Sequence, residues 1–88
     1  MNPRWKERQN PHSLEAKFLF QDYETLRVFL DRAADSSEKL EVHPNISFGR
    51  DYASVLIYPV NDALEDAEYS LAESLDRFYE ESDGRLEE

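Results

Sequence analysis

Cysteine is absent from the 88 residues, which excludes a disulfide framework, a thiolate nucleophile and any cysteine-based metal site. That absence suits an intracellular protein. Glycine occurs only as Gly49 and Gly84, so no glycine-rich loop is present to cradle a phosphate. The two histidines, His12 and His43, are distant in sequence, and the carboxylates are scattered along helix faces. Neither pattern supplies a metal site. No apolar run approaches the roughly 20 residues that span a bilayer. Met1 to Gln9 is polar and mixed in charge, unlike a secretory signal. A soluble, cytoplasmic protein is expected. Positive charge is scarce as well: 10 basic residues stand against 20 acidic ones, a net charge of -10. Such a surplus repels phosphate backbones and anionic lipid, so no nucleic-acid or membrane partner is expected. A basic surface on another protein would suit it, or the acids simply keep a small domain soluble.

Hydrophobic residues make up 40% of the chain, clustered between charged stretches, which argues for a folded core. The length allows one domain. A domain this small buries only about 60% of the surface its unfolded chain exposes, so it gains from oligomerisation. Residues 1–13 carry Asn2, Pro3, Asn10 and Pro11 and read as an irregular arm, with Trp5 anchored on the core. The folded domain then spans 14–81, followed by a flexible acidic tail over 82–88. Leu14 to Phe20 alternates with period two, as a half-buried strand does. Asp22 is placed to cap a helix whose apolar stripe is Tyr23, Leu26, Phe29, Leu30, Ala33, Ala34 and Leu40. That helix stops before Pro44. Asn45 to Phe48 and Tyr52 to Tyr58 form a hairpin around Gly49-Arg50-Asp51, and Pro59 ends its second strand. Asp62 with Glu65 resembles a capping box for a last helix bearing Leu64, Ala67, Leu71, Ala72, Leu75, Phe78 and Tyr79. Gly84 is its stop.

The expected fold is α+β: a small antiparallel sheet with two main helices packed on one face. The other sheet face is left bare. There Tyr52, Leu56 and Tyr58 make a row suited to binding a partner, unless that face is simply solvated or covered by the arm. Candidates for chemistry are few. His12 reads as a surface residue. His43, in Glu41-Val42-His43-Pro44, sits at an element end where a general acid or base could stand; local hydrogen bonding that ends the helix is the alternative. The acids at 65, 66 and 68 are placed for the positive end of the helix dipole.

Phe18-Leu19-Phe20-Gln21-Asp22-Tyr23, then a helix, then Glu41-Val42-His43-Pro44, Val55 and a final helix bearing Leu71-Ala72 resemble pterin-4a-carbinolamine dehydratase. That family has a histidine pair before a proline, a third histidine after the last strand and an acid in the final helix, which bind the pterin and move protons. Carried over, the vestigial positions are Val42, His43, Pro44, Asn61 or Asp62, and Glu68. Only His43 among the three histidine positions is a histidine, and general acid–base groups typically contribute about 10²–10⁴-fold. The Val-His-Pro turn, the Asn-Ile-Ser-Phe-Gly-Arg-Asp-Tyr hairpin and the acidic composition are similar to a degenerate subgroup, the dehydratase-like Rubisco assembly factors of alpha-carboxysome operons. This resemblance implies a non-catalytic chaperone, without cofactor, that binds the Rubisco large subunit. The family forms dimers or tetramers, so a homodimer is expected, in the cytoplasm and associated with carboxysomes. The alternatives are a dehydratase with a reduced site using His43 and Glu68, or a dimerisation cofactor for another regulator.

Overall fold

The computed structural model describes residues 3–9 and 12–83, with side chains through Glu81. The sites expected at Asn2, Asn10, Pro11 and Gly84, and the end of the acidic tail, lie outside the described residues. Strands β1 (Lys6–Gln9), β2 (His12–Leu19), β3 (Asn45–Phe48) and β4 (Tyr52–Ile57) accompany helices α1 (Tyr23–Leu40) and α2 (Asp66–Asp83). The strands form one antiparallel sheet in the order β1-β2-β4-β3. The fold is α+β, as expected.

Register and burial explain why both helices share one side. Leu14, Ala16 and Phe18 pair with Ile57, Val55 and Ala53, and all six are buried. They meet Leu26, Phe29 and Ala33 of α1 and Leu71, Ala72 and Leu75 of α2 in a single core. The intervening pairs, Glu15 with Leu56, Lys17 with Ser54 and Leu19 with Tyr52, face away. At the centre Phe29 lies 4.9 Å from Phe18 and 5.2 Å from Phe20, ring centre to ring centre, with Tyr79 edge-on to both Phe18 and Phe20. Such tilted and edge-on contacts are the favoured geometries for aromatic pairs.

Three local expectations need correction. Residues 6–9 are not irregular: they add a fourth strand beside β2, which itself begins at His12. Residues 6–9 therefore extend the sheet rather than cover its open face. Trp5 does dock as expected, buried with its edge on Phe18 and its indole N–H donating to Asp76 Oδ1 at 2.9 Å. In α1 the core stripe is Leu26, Phe29, Ala33 and Ser37, whereas Tyr23 and Ala34 are exposed. Ser37 is tolerated inside because its hydroxyl donates to the Ala33 carbonyl at 2.7 Å. The last helix begins at Asp66, a turn later than an Asp62 cap would put it.

Asp22 caps α1 as read from the sequence, its Oδ1 accepting from the Thr25 N–H at 2.8 Å. The other end closes on Glu41, in the left-handed region at φ 59°, with the Val42 N–H donating to the Ser37 carbonyl. That six-to-one bond is the Schellman arrangement, in which glycine normally takes the left-handed position. A side chain there is strained, so Glu41→Gly is expected to stabilise the fold by about 0.5–1 kcal/mol. Thermal melting checks it, since about 1 kcal/mol corresponds to roughly 4–8 °C in a domain of this size. At Gly49 the constraint is one of space: a Cβ there would run into the Tyr52 ring, which would have to shift.

Candidate functional site

The start of β2, the start of β3 and the end of β4 lie at one end of the sheet, fixed by Leu14 opposite Ile57 and Asn45 opposite Leu56. The residues singled out from the sequence divide there into separate environments. Val42 is fully buried in the core. His43 is exposed and Pro44 half-buried, and with Ala34, Ser37, Glu38 and Ile46 they line a surface groove of about 470 Å³. That groove contains neither Asp62 nor Glu68. Among the described residues no carboxylate or second imidazole is hydrogen-bonded to His43. Nor does His43 end α1, because the bonds from Glu41 and Val42 already do so.

Asp62 is exposed in the connection after β4 and does not cap α2. The cap is Glu65, whose carbonyl accepts the first helical bond, from the Tyr69 N–H. Glu68 then occupies the third helical position and completes the backward half of a capping box. Its Oε1 accepts from the Glu65 N–H at 2.8 Å and its Oε2 from the Val60 N–H at 2.7 Å. The Glu68 side chain is buried. Burial alone would raise its pKa, but backbone N–H donors at Val60, Glu65 and Glu68 itself outweigh that and hold it below the ordinary 4.5. The carboxylate is therefore ionised at neutral pH and fully engaged in fastening the Pro59–Glu65 connection to α2.

His12 is the residue the sequence misjudged. Its Nδ1 accepts from the Leu64 N–H at 3.2 Å, which leaves Nε2 as the protonated nitrogen of the neutral ring, 2.8 Å from Glu7 Oε2. Tyr69 Oη donates to the same Glu7 oxygen at 3.0 Å. The hydrogen bonds from His12 and Tyr69 pull the Glu7 pKa down, while burial and Glu7 push that of Tyr69 up. A carboxylate beside an imidazole is the arrangement that orients a general base. Here, however, the second ring nitrogen is occupied by a backbone N–H, so the pair acts as a strut between β1, β2 and α2. Nothing local in sequence announced it, because Leu64 lies 52 residues from His12. Among the described residues no group of three His, Asp or Glu side chains is placed to hold a metal ion.

On the bare face the expected row is only partly exposed. Tyr52 and Leu56 lie half-buried on it, and the Lys17 ammonium sits 5.0 Å from the Tyr52 ring centre. Tyr58 is 41% exposed but lies one residue beyond the end of β4. Leu19, opposite Tyr52, is 60% exposed and extends the apolar edge of the face.

A protein described as a pterin dehydratase-like RuBisCO assembly factor in the alpha-carboxysome superposes with a TM-score of 0.76 at 34% identity, over 85% of this chain and 88% of that one. The chain belongs to the pterin dehydratase-like family. A transcriptional coactivator/pterin dehydratase from Brucella melitensis superposes with a TM-score of 0.80 over 86% of this chain and 82% of that one. At 19% identity that likeness concerns the fold alone. No family model and no curated protein matches the sequence. The dehydratase-like resemblance read from the Val42-His43-Pro44 turn and its flanking elements is thus the family itself.

Proposed function

We propose that this pterin dehydratase-like protein is an assembly factor for Rubisco, a chaperone that binds the large subunit and performs no dehydration. The observation that carries the reading is the 34% identity, spread over 85% of the chain, to a protein described as a RuBisCO assembly factor. The arrangement of the dehydratase positions supports it. Val42 stands in the core where the family has the first histidine, and a valine cannot transfer protons. Glu68, the acid that a reduced active site would need, has both oxygens bound to backbone N–H groups and a lowered pKa. An ionised, fully engaged carboxylate is a poor general acid at neutral pH. The half-buried Tyr52 and Leu56, with Tyr58 beyond them, offer an amphipathic contact surface of the kind enriched in protein interfaces. On this reading the protein works in the cytoplasm in association with alpha-carboxysomes, as a homodimer. Among the described residues no helix is long and apolar enough to cross a membrane.

The reading is tested by passing newly translated Rubisco large subunit over the immobilised protein and following pterin carbinolamine dehydration in parallel. Retention of large subunit with dehydration at the uncatalysed rate is expected. A rate above the uncatalysed one that disappears in His43→Ala would make the protein an enzyme and overturn the proposal.

A further inference from the structure

We propose that the open sheet face carries a docking groove for an acidic segment of a partner protein, bound in extended form along β1 and β2. The net charge of -10 conceals a strong asymmetry. Residues 1–17 hold four basic and two acidic side chains, and the rest of the chain holds six basic and 18 acidic ones. The fold places this basic minority together. Arg4, Lys6, Arg8 and Lys17 surround Glu15 and Ser54 in a groove of about 260 Å³. The open face is therefore opposite in sign to the molecule as a whole, and the partner segment it fits is acidic, whereas the net charge alone suggests a basic one.

Not all of that charge is available to a ligand. Arg4 is paired with Asp76 and stacks over Phe18 and Tyr79, and Arg8 Nε lies 2.9 Å from Glu15 Oε1. Among the described residues Lys6 and Lys17 have no ion-pair partner. Lys6 and Arg8, two residues apart on one strand, project on the same side about 6.6–6.8 Å apart. An extended segment with acids at alternate positions has that same period. Nucleic acid matches less well. A phosphate chain longer than the short groove would run on over the acidic remainder of the molecule, where it is repelled.

The inference rests on charge and register and stands whether or not the assembly-factor reading holds. Fluorescence anisotropy of the full chain with a labelled alternating Glu-Thr peptide of about eight residues tests it, with a Lys-Thr peptide and an oligothymidylate of similar length as comparators. The Glu-Thr peptide is expected to bind saturably and to weaken about 10-fold between ~50 and ~300 mM salt. The Lys6→Gln/Lys17→Gln pair is expected to cost about 10-fold in affinity. An Arg27→Gln/Lys39→Gln pair, which removes the same charge from the exposed face of α1, is expected to change affinity less than about 2-fold. Lys17→Gln alone, checked for a native thermal midpoint, serves if the double variant is not folded. Absence of saturable binding, an equal loss in the α1 pair, or tighter binding of the oligothymidylate would each overturn the proposal.

Discussion

Phe29→Ala is expected to leave a chain that is barely folded at room temperature. Phe29 is wholly buried and touches Phe18, Phe20 and Tyr79, so it joins α1 to β2 and α2 at a single point. Truncating a core phenylalanine costs about 3–5 kcal/mol, through lost transfer energy and the cavity left behind. The whole domain has only about 5–15 kcal/mol of stability to lose. At roughly 4–8 °C per kcal/mol, the midpoint should drop by more than about 12 °C, which calorimetry or far-ultraviolet circular dichroism reads directly. Phe29→Leu keeps most of the volume and should lose much less. A Phe29→Ala midpoint within a few degrees of wild type would mean that the aromatic cluster is not the core of this fold.

Removing the Glu68 carboxylate should have the next largest effect. Glu68→Ala orphans the N–H groups of Val60 and Glu65, and hydrogen bonds to a charged acceptor contribute about 1.5–3 kcal/mol each. Because the Val60 end is partly solvated, a total loss of about 2–3 kcal/mol is expected. The pH dependence follows from the lowered pKa. A carboxyl whose folded pKa lies below its unfolded value stabilises fully above the unfolded value and loses that contribution as pH falls through the folded one. The wild type should therefore weaken from about pH 4.5 downward, and Glu68→Gln should show a shallower decline over the same range. Glu7 and Asp22, also lowered, act in the same direction and remain in both proteins, so the difference between the two curves isolates Glu68. Parallel curves would remove Glu68 from its fastening role.

Where a residue's role depends on near neighbours, the sequence displayed it. The alternation of Leu14, Ala16 and Phe18 against Glu15 and Lys17 marks β2, and Asp22 marks the start of α1, because both signals are written within one turn or a few strand residues. The hairpin around Gly49 and the inward set Ala53, Val55 and Ile57 were legible for the same reason. β1 was not, since Lys6-Glu7-Arg8-Gln9 has no apolar alternation. An edge strand kept polar against unwanted pairing carries little pattern of its own, and only the register against β2 makes it a strand. The α2 cap was misplaced by one turn because acids at 62, 65, 66 and 68 offer several equivalent starts; the Val60 and Leu64 N–H bonds choose between them. Asp76 was invisible as an inner residue until Trp5 and Arg4 arrived from the far end of the chain. The same distance hid the Glu7–His12–Tyr69 strut. For the candidate site, the resemblance singles out Val42, His43, Pro44, Asp62 and Glu68, but their spacing in the chain does not show that the His43 groove excludes Asp62 and Glu68.

The proposed role in Rubisco assembly is tested most directly by co-expressing the large and small subunits of an alpha-carboxysomal Rubisco with and without this protein, and measuring assembled holoenzyme on native gels against total large subunit. The account predicts a higher assembled fraction when the protein is present, unchanged by His43→Ala and lost in the poorly folded Phe29→Ala. An assembled fraction that is the same with and without the protein would contradict it.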